Sequence, residues 1–371
     1  MSTAPSTSTM KAVSVTKFAP IGTVPTSVSF GSITSPPPPV KNQLIIAVKA
    51  SSINVDDVAL LQDSAGGGWF FHGRTPTAAN PLVGGMEYSG VVESCGPSCK
   101  KFKVGDRVVG LQDLALQKNP GTWAEKTMAP ETDVVPLPSD ISFVEGASIG
   151  MGAYISGDLF KRGGKKLKQN GGKKRILLIG ASGGLGTILL KLLENDENEK
   201  TVVAVCSGSN VEMVKRLGAH EVIDYKKGTF GEQLCSSEKF DIVYDYVGGK
   251  DTERSARKLL KNGGQFITAV GPLQGVGDKV LSCWEWTGWC CGLTCAMTCS
   301  PCSRTSYEMG GGMPPLKEAD FNAVAVEAKI RAEIALELPF TEEAVREGLK
   351  KVASRHAGGK VVLNMEKMER D

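Results

Sequence analysis

The sequence predicts an α/β protein in which a doubly wound parallel sheet follows a region of short strands forming a small, partly open barrel. Three observations predict it. Ile176-Leu-Leu-Ile179 is a continuous apolar run, the pattern of a strand buried on both faces. A turn with Gly180, Gly183 and Gly186 comes next, followed by apolar positions at helical spacing up to Leu193. Ahead of this unit, residues 81–92, 102–110 and 121–125 are β-rich and punctuated by glycine.

The chain has 371 residues, enough for two domains. Its 41% hydrophobic and 22% charged content is ordinary for a globular enzyme. A net charge of +3 gives no reason to invoke nucleic acid. The 10 cysteines are not spaced as a disulfide framework, which points to a reducing compartment. Residues 1–9 are polar and lack any basic residue, unlike a signal or transit peptide. They read as a disordered tail, with structure starting at Met10. The expected location is the cytoplasm, with an organelle left open.

From the N-terminus, residues 11–17 and 24–30 read as strands, and Pro36 to Pro39 as a rigid surface connection. Residues 43–49 are a strong strand leading into Asn54-Val-Asp-Asp57. The run Ala65-Gly-Gly-Gly-Trp-Phe-Phe-His-Gly73 is either a flexible surface loop or a mobile aromatic flap over a substrate cleft. Residues 142–160 read as a helix, and the basic, glycine-rich stretch 161–175 as a solvated loop.

The glycine turn carries the chemistry. It closes a strand and opens a helix, whose N-terminus offers free N–H groups and a positive dipole end to a pyrophosphate. Gly180, Ser182, Gly183, Gly184, Leu185 and Gly186 are therefore the expected phosphate cradle of a Rossmann-type sheet. Residues 201–206 read as the second strand. In NAD-binding versions a carboxylate near its end accepts from the ribose 2′-hydroxyl. Here Cys206-Ser-Gly-Ser-Asn210 stands instead, with Lys215 and Tyr225 further on. Ser207, Ser209, Lys215 and Tyr225 thus favour NADPH. Ser207 also suits a helix cap.

Beyond this unit the βαβ rhythm continues: a strand at 240–244, a helix at 252–261 and a strand at 264–271. The strand ends, through Val247, Val270 and Gly271, are expected to face the nicotinamide. Residues 281–302 are rich in Cys and Trp. A buried subunit or substrate-channel face is the favoured assignment. A metal site at the cysteines and a peripheral membrane contact through Trp284, Trp286 and Trp289 stay open, and a membrane span is disfavoured by Glu285 and the small polar residues. Residues 316–329, 334–338, 341–354 and 360–364 read as helix, strand, helix and strand.

The colinear set Gly85-Met-Glu-Tyr-Ser-Gly90, Val104-Gly-Asp-Arg-Val108, Gly121-Thr-Trp-Ala-Glu125, Ala181-Ser-Gly-Gly-Leu-Gly186, Asp241-Ile-Val-Tyr-Asp-Tyr-Val-Gly248 and Gly359-Lys-Val-Val-Leu363 resembles the medium-chain dehydrogenase/reductase superfamily. Within it, the chain is most similar to the quinone oxidoreductase-like branch, including the reticulon-interacting mitochondrial homologues. The resemblance implies a Rossmann-type sheet at 138–313, inserted in a GroES-like barrel domain made of 10–137 and 314–371. It implies no catalytic zinc: Met86 stands at the family's His, residues 54–57 hold no Cys, and residues 111–121 lack the cysteines of the structural zinc lobe. Asn54 matches the Asn that faces nicotinamide and substrate. Where relatives carry a Thr near the nicotinamide, this chain has Ile155, with Tyr154 and Ser156 beside it, and Tyr154 is the candidate proton source. The implied reaction is NADPH-dependent reduction of a quinone or an α,β-unsaturated carbonyl. A non-enzymatic NADPH-binding scaffold or sensor and an alcohol dehydrogenase are the alternatives. The expected partners are a small quinone or enone and, as an open question, a second copy of the chain.

Overall fold

The computed structural model describes residues 8–62, 75–112, 121–169, 171–271, 305–310 and 316–368. The aromatic flap at 65–73 and the Cys/Trp segment at 281–302 lie outside the described residues, as does most of the 1–9 tail.

The N-terminal part contributes β1 (Thr9–Val15), α1 (Val24–Ser27), β2 (Ser29–Thr34), β3 (Gln43–Ile53), α2 (Val55–Leu61), β4 (Leu82–Val83), β5 (Glu87–Cys95), β6 (Arg107–Leu111), β7 (Lys126–Pro130) and β8 (Val134–Pro136). β1 starts one residue before Met10. Residues 24–30 do not form a single strand. Pro25 sits in the first turn of α1, where its fixed φ suits a helix and its missing N–H costs nothing, and only then does β2 begin. The long β3 is the spine of one sheet. One edge pairs with β5; the other pairs with β7 over its first half and with the C-terminal β16 (Lys360–Asn364) over its second. The sheet runs β15-β16-β3-β5-β6-β8, where β15 is Ile334–Pro339, and it does not close on itself.

The helix α3 (Phe143–Lys168) leads into β9 (Lys174–Ile179), α4 (Gly184–Asn195), β10 (Lys200–Cys206), α5 (Val211–Arg216), β11 (Glu221–Asp224), α6 (Phe230–Gln233), β12 (Phe240–Asp245), α7 (Lys250–Lys258), β13 (Leu260–Thr268) and β14 (Ser306–Met309). α3 runs to Lys168, so much of the basic stretch 161–175 is helix rather than loop. The Gly163–Gly164 pair reads as a breaker, yet Leu159, Gly163 and Leu167 form one buried stripe. A Cβ on Gly163 would lie within 1.8 Å of the Tyr244 hydroxyl, so this helix needs glycine there to reach the sheet. The helix expected at 252–261 ends earlier, at Lys258, and β13 starts at Leu260. At the C-terminus, the single helix expected at 316–329 is a short α8 (Glu318–Phe321) continued by a wider π-type turn, Asn322–Glu327. α9 is Glu342–Ala353.

The second sheet is parallel throughout, in the order β11-β10-β9-β12-β13-β14. Ile176 and Leu178 pack with α3 and α4 on one face. Leu177 and Ile179 pack with Ala256 of α7 and Leu259 on the other. Burial on both faces explains why β9 reads as a continuous apolar run rather than an alternating one. The strand order reverses between β9 and β12, and it is outside such a reversal that doubly wound sheets bind ligands.

Close backbone packing beside Glu87 yields a first test. Gly85 has φ +94°, and a Cβ there would meet the Thr122 hydroxyl at 2.4 Å and the Trp123 N–H nitrogen at 2.8 Å. Gly105 has nearly the same φ, +93°, with nothing within 4 Å. Gly105→Ala is expected to cost about 1 kcal/mol through backbone strain alone, and Gly85→Ala at least about 2 kcal/mol. Denaturant unfolding of the two variants compares them, and equal losses would contradict the packing argument.

Candidate functional site

The glycine turn gives each glycine a separate reason. Gly180, at φ +82°, turns the chain at the end of β9. Gly186 lies so close to β9 that a Cβ would sit 2.3 Å from Gly180 O. Gly183, the N-cap of α4, has only Gly180 O at 3.5 Å from where its Cβ would be, leaving room above the turn for a ligand. The first-turn N–H groups of α4 have no acceptor within the helix, the geometry that receives a phosphate. The turn is braced from behind: Tyr246 Oη donates to Ser156 Oγ at 2.9 Å, and Ser156 Oγ donates to Leu185 O at 2.9 Å. Burial holds the Tyr246 hydroxyl above its ordinary range, so it stays a neutral donor. Ser182 and Gly184 share this turn.

At the end of β10, Ser207 and Ser209 hydroxyls lie 3.1 Å apart, and Asn210 Nδ2 donates to Ser207 Oγ at 3.1 Å. Ser207 makes no side-chain cap bond, so its helix-capping role is not seen. Lys215 is exposed on α5, and Tyr225 is exposed just after β11. A carboxylate that local sequence does not reveal also stands here. β11 pairs with β10 so that Asp224 is opposite Cys206, and a Cβ on Gly208 would lie 2.6 Å from Asp224 Oδ2. Burial, with Asp224 beside it, pushes the Cys206 thiol up to about 11, which makes it inert.

The ends of β12 and β13 are ordered by two buried side chains. Asp245 Oδ1 accepts from the N–H groups of Val247 and Gly248. Thr268 Oγ1 donates to Asp245 Oδ2 and accepts from the N–H groups of Val270 and Gly271. Gly249 N–H donates to Gly271 O, tying the two loops together.

A further group of buried polar side chains lies where the first sheet meets α3. Glu87, the fully buried first residue of β5, is surrounded by donors. Its Oε2 accepts from Ser52 Oγ, from Asn54 Nδ2 at 3.3 Å and from Lys360 Nζ at 2.5 Å, and its Oε1 accepts from Met151 N–H at 2.8 Å. Lys360 Nζ also donates to Asn54 Oδ1 at 2.6 Å. The Lys360 stem crosses the start of α4, where a Cβ on Gly184 would lie 2.6 Å from its Cδ. Gly358, two residues earlier, lies against Asn210. Met86 packs in an apolar cluster with Val109, Leu111 and Ile149, against which Tyr154 and Leu185 also rest. Asn54 and Tyr154 therefore both border this region, but only Asn54 bonds to Glu87. Lys360 and Glu87 stand in the motifs Gly359–Leu363 and Gly85–Gly90, which by sequence give neither a place in the site; the structure brings them together. Among the described residues, no group of three His, Cys, Asp or Glu side chains converges as a metal site would require.

Beneath Asn54, Asp57 is fully buried, and its Oδ2 accepts from Asn54 N–H at 2.7 Å. Among the described residues its Oδ1 has no hydrogen-bond partner. Burial pushes this carboxyl up to about 8 against the opposing pull of the Asn54 bond, so it carries a proton at neutral pH.

Two family profiles match the chain: the alcohol dehydrogenase GroES-like domain at residues 40–139 and the zinc-binding dehydrogenase family at 217–363. The mitochondrial NAD(P)H oxidoreductase RTN4IP1 of Bos taurus is 33% identical over 341 residues, covering 87% of this chain and 82% of that protein. The 2-methylene-furan-3-one reductase of Solanum lycopersicum is 33% identical over 202 residues, 54% of this chain and 49% of that one. Among solved structures, the quinone oxidoreductase from Coxiella burnetii superposes with a TM-score of 0.75 at 22% identity, over 96% of this chain and 100% of its own.

Lys360→Met leaves Glu87 buried without its counter-ion and is expected to cost about 3–5 kcal/mol of folding stability. Adding Glu87→Gln should recover most of that loss, because a neutral amide needs no cation. Chemical denaturation of both variants measures it, and a double variant as unstable as Lys360→Met would show that the pair is not coupled. For Asp57, the folded-state value of about 8 lies above the unfolded value of 3.8, so its stabilising protonation is complete below the latter and lost as pH rises through the former. The unfolding free energy of wild type minus that of Asp57→Asn should fall across this window, at up to about 1.4 kcal/mol per pH unit. A difference that does not change with pH would place the Asp57 proton elsewhere.

Proposed function

The chain is an oxidoreductase of the medium-chain dehydrogenase/reductase superfamily, and from that premise we propose that it uses NADPH to reduce a quinone or an α,β-unsaturated carbonyl without a catalytic metal. The observation that carries this is the engagement of Glu87. Its carboxylate is occupied by Lys360, Ser52, Asn54 and the Met151 N–H, and its neighbour Met86 is packed in an apolar cluster. A fixed ammonium, rather than a Lewis acid, is the positive charge at this point. Alcohol oxidation needs a group that lowers the hydroxyl pKa, whereas reduction of a conjugated carbonyl needs only alignment and a donor to its oxygen. The names of the Coxiella burnetii and Solanum lycopersicum proteins point to the same substrate classes.

In this assignment, residues 138–313 hold the cofactor, and residues 10–137 with 314–371 close over it and carry the substrate. The first turn of α4 receives the pyrophosphate. Ser207, Ser209, Lys215 and Tyr225 take the 2′-phosphate. Val247, Val270 and Gly271, on loops fixed by Asp245 and Thr268, bound the nicotinamide. The bound cofactor supplies the hydride. Lys360 holds Asn54 by its Oδ1, while the donor side of that amide has only long contacts, 3.2 Å to Ser52 and 3.3 Å to Glu87. Asn54 Nδ2 would exchange one of these long bonds for a carbonyl oxygen as negative charge grows there. Tyr154, on the adjoining face of α3, is assigned the proton delivery. We place the protein in the cytoplasm or within an organelle; among the described residues no helix is long and apolar enough to cross a membrane.

NADPH oxidation measured side by side with quinones, enones and simple ketones tests the substrate class. Turnover with the first two and none with the last is expected, and the reverse would return the protein to the alcohol dehydrogenases. If no substrate is turned over while NADPH binds, the scaffold alternative stands. Asn54→Ala should lower kcat by about two decades, equivalent to about 3 kcal/mol, with NADPH affinity within a few-fold of wild type. Unchanged kcat in the folded variant removes Asn54 from the reaction. For the cofactor, Ser207→Asp should erase a preference for NADPH over NADH, and Asp224→Asn should enlarge it, both read by fluorescence titration.

A further inference from the structure

At the end of β5 farthest from Glu87, the sequence Cys95-Gly-Pro-Ser-Cys99 folds into a tight turn. Cys99 N–H donates to Gly96 O at 3.1 Å, closing the turn, and Pro97 occupies the position where its fixed φ is favoured. The turn is then folded back onto the start of β3. Gly96 N–H donates to Gln43 O at 2.8 Å, and Ser98 N–H donates to Lys41 O at 2.9 Å. The Cys99 thiol reaches the same Gln43 carbonyl at 3.3 Å, and the Cys95 thiol bonds Phe102 O at 3.6 Å. Because the Gly96 N–H and the Cys99 thiol share the Gln43 carbonyl, the Cys99 side chain lies beside the backbone that follows Cys95. Both cysteines are half-buried against the apolar core of the first sheet, and neither is in a disulfide. Two cysteines carried by one closed turn that is itself bonded to β3 are pre-organised for bond formation, because little chain entropy remains to be lost.

We propose that Cys95 and Cys99 form a reversible redox pair, oxidised to an intramolecular disulfide by exchange with a low-molecular-weight disulfide such as glutathione disulfide. Cys99 loses its proton, and its thiolate attacks one sulfur of glutathione disulfide. That S–S bond breaks, and one glutathione leaves as a thiolate and takes up a proton. Cys95 then gives up its proton and attacks the Cys99 sulfur, releasing the second glutathione, which is protonated in turn. Two protein thiols lose two electrons, and one glutathione disulfide becomes two glutathione molecules. The order of attack follows from the surroundings. Burial, with the neighbouring Cys99, raises the Cys95 thiol above its ordinary range, so Cys95 is the poorer first nucleophile and the resolving partner. Because Glu87 lies at the opposite end of the same strand, oxidation marks the protein without rearranging the proposed active site.

Trypsin isolates the pair. Cleavage after Arg74 and Lys100 gives a peptide, residues 75–100, that contains Cys95 and Cys99 and no other cysteine. The folded protein is equilibrated in buffers of graded reduced and oxidised glutathione, quenched with an alkylating agent, digested and weighed. The expected product is this peptide lighter by two hydrogens and carrying no alkyl group, formed at a lower proportion of glutathione disulfide than in the denatured chain. In Cys95→Ser, glutathione should remain attached to Cys99. A wild-type peptide alkylated at both cysteines, or one that retains glutathione, would overturn the proposal, as would equal oxidation of folded and denatured chains.

Discussion

The ion pair between Lys360 and Glu87 is the contact on which the arrangement depends. A buried carboxylate loses its hydration and must be repaid by donors of good geometry. Glu87 obtains them from four parts of the chain: Ser52 on β3, Asn54 after it, Met151 in α3 and Lys360 on β16. The requirement therefore fixes the position of the C-terminal strand, the entry to α2 and one turn of α3 relative to β5. The Lys360 stem also crosses the start of α4, so the same side chain joins the first sheet to the glycine turn of the second. One electrostatic need couples the part proposed to carry the substrate to the part proposed to hold the cofactor.

Much of the fold was legible in the sequence because its signals are local. The apolar run at Ile176 to Ile179 and the spacing of Gly180, Gly183 and Gly186 depend on neighbours a few residues away, and β9 and α4 lie where those signals put them. Local signals misled where tertiary packing decided. The Gly163–Gly164 pair looked like a helix end, but the helix continues because Gly163 lets it lie against Tyr244. Pro25 turned an expected strand into one helical turn.

The candidate site was less legible, and for a physical reason. Lys360 stood in a recognisable motif, but its partners Asn54 and Glu87 are 306 and 273 residues away. Its neighbours Gly359 and Val361 give no hint of its ionic partner. The position of Asp224 is hidden from local sequence in the same manner. It lies well beyond Ser207 in the chain and arrives beside it only because β11 pairs in parallel with β10. The pocket assigned to the 2′-phosphate is thus not free of negative charge, and cofactor preference there is a balance between Asp224 and the hydroxyls and basic groups around it.

The reaction we propose is direct hydride transfer to a conjugated acceptor with the Lys360–Glu87 pair, not a metal, as the fixed charge. Single-turnover reduction of an enone by NADPH deuterated at the transferable position, after exhaustive chelation, tests it most directly. Undiminished turnover, a slower step with deuterium, and the label on the β-carbon of the product are expected. Activity that disappears on chelation and returns with zinc, or a product without the label, would contradict it.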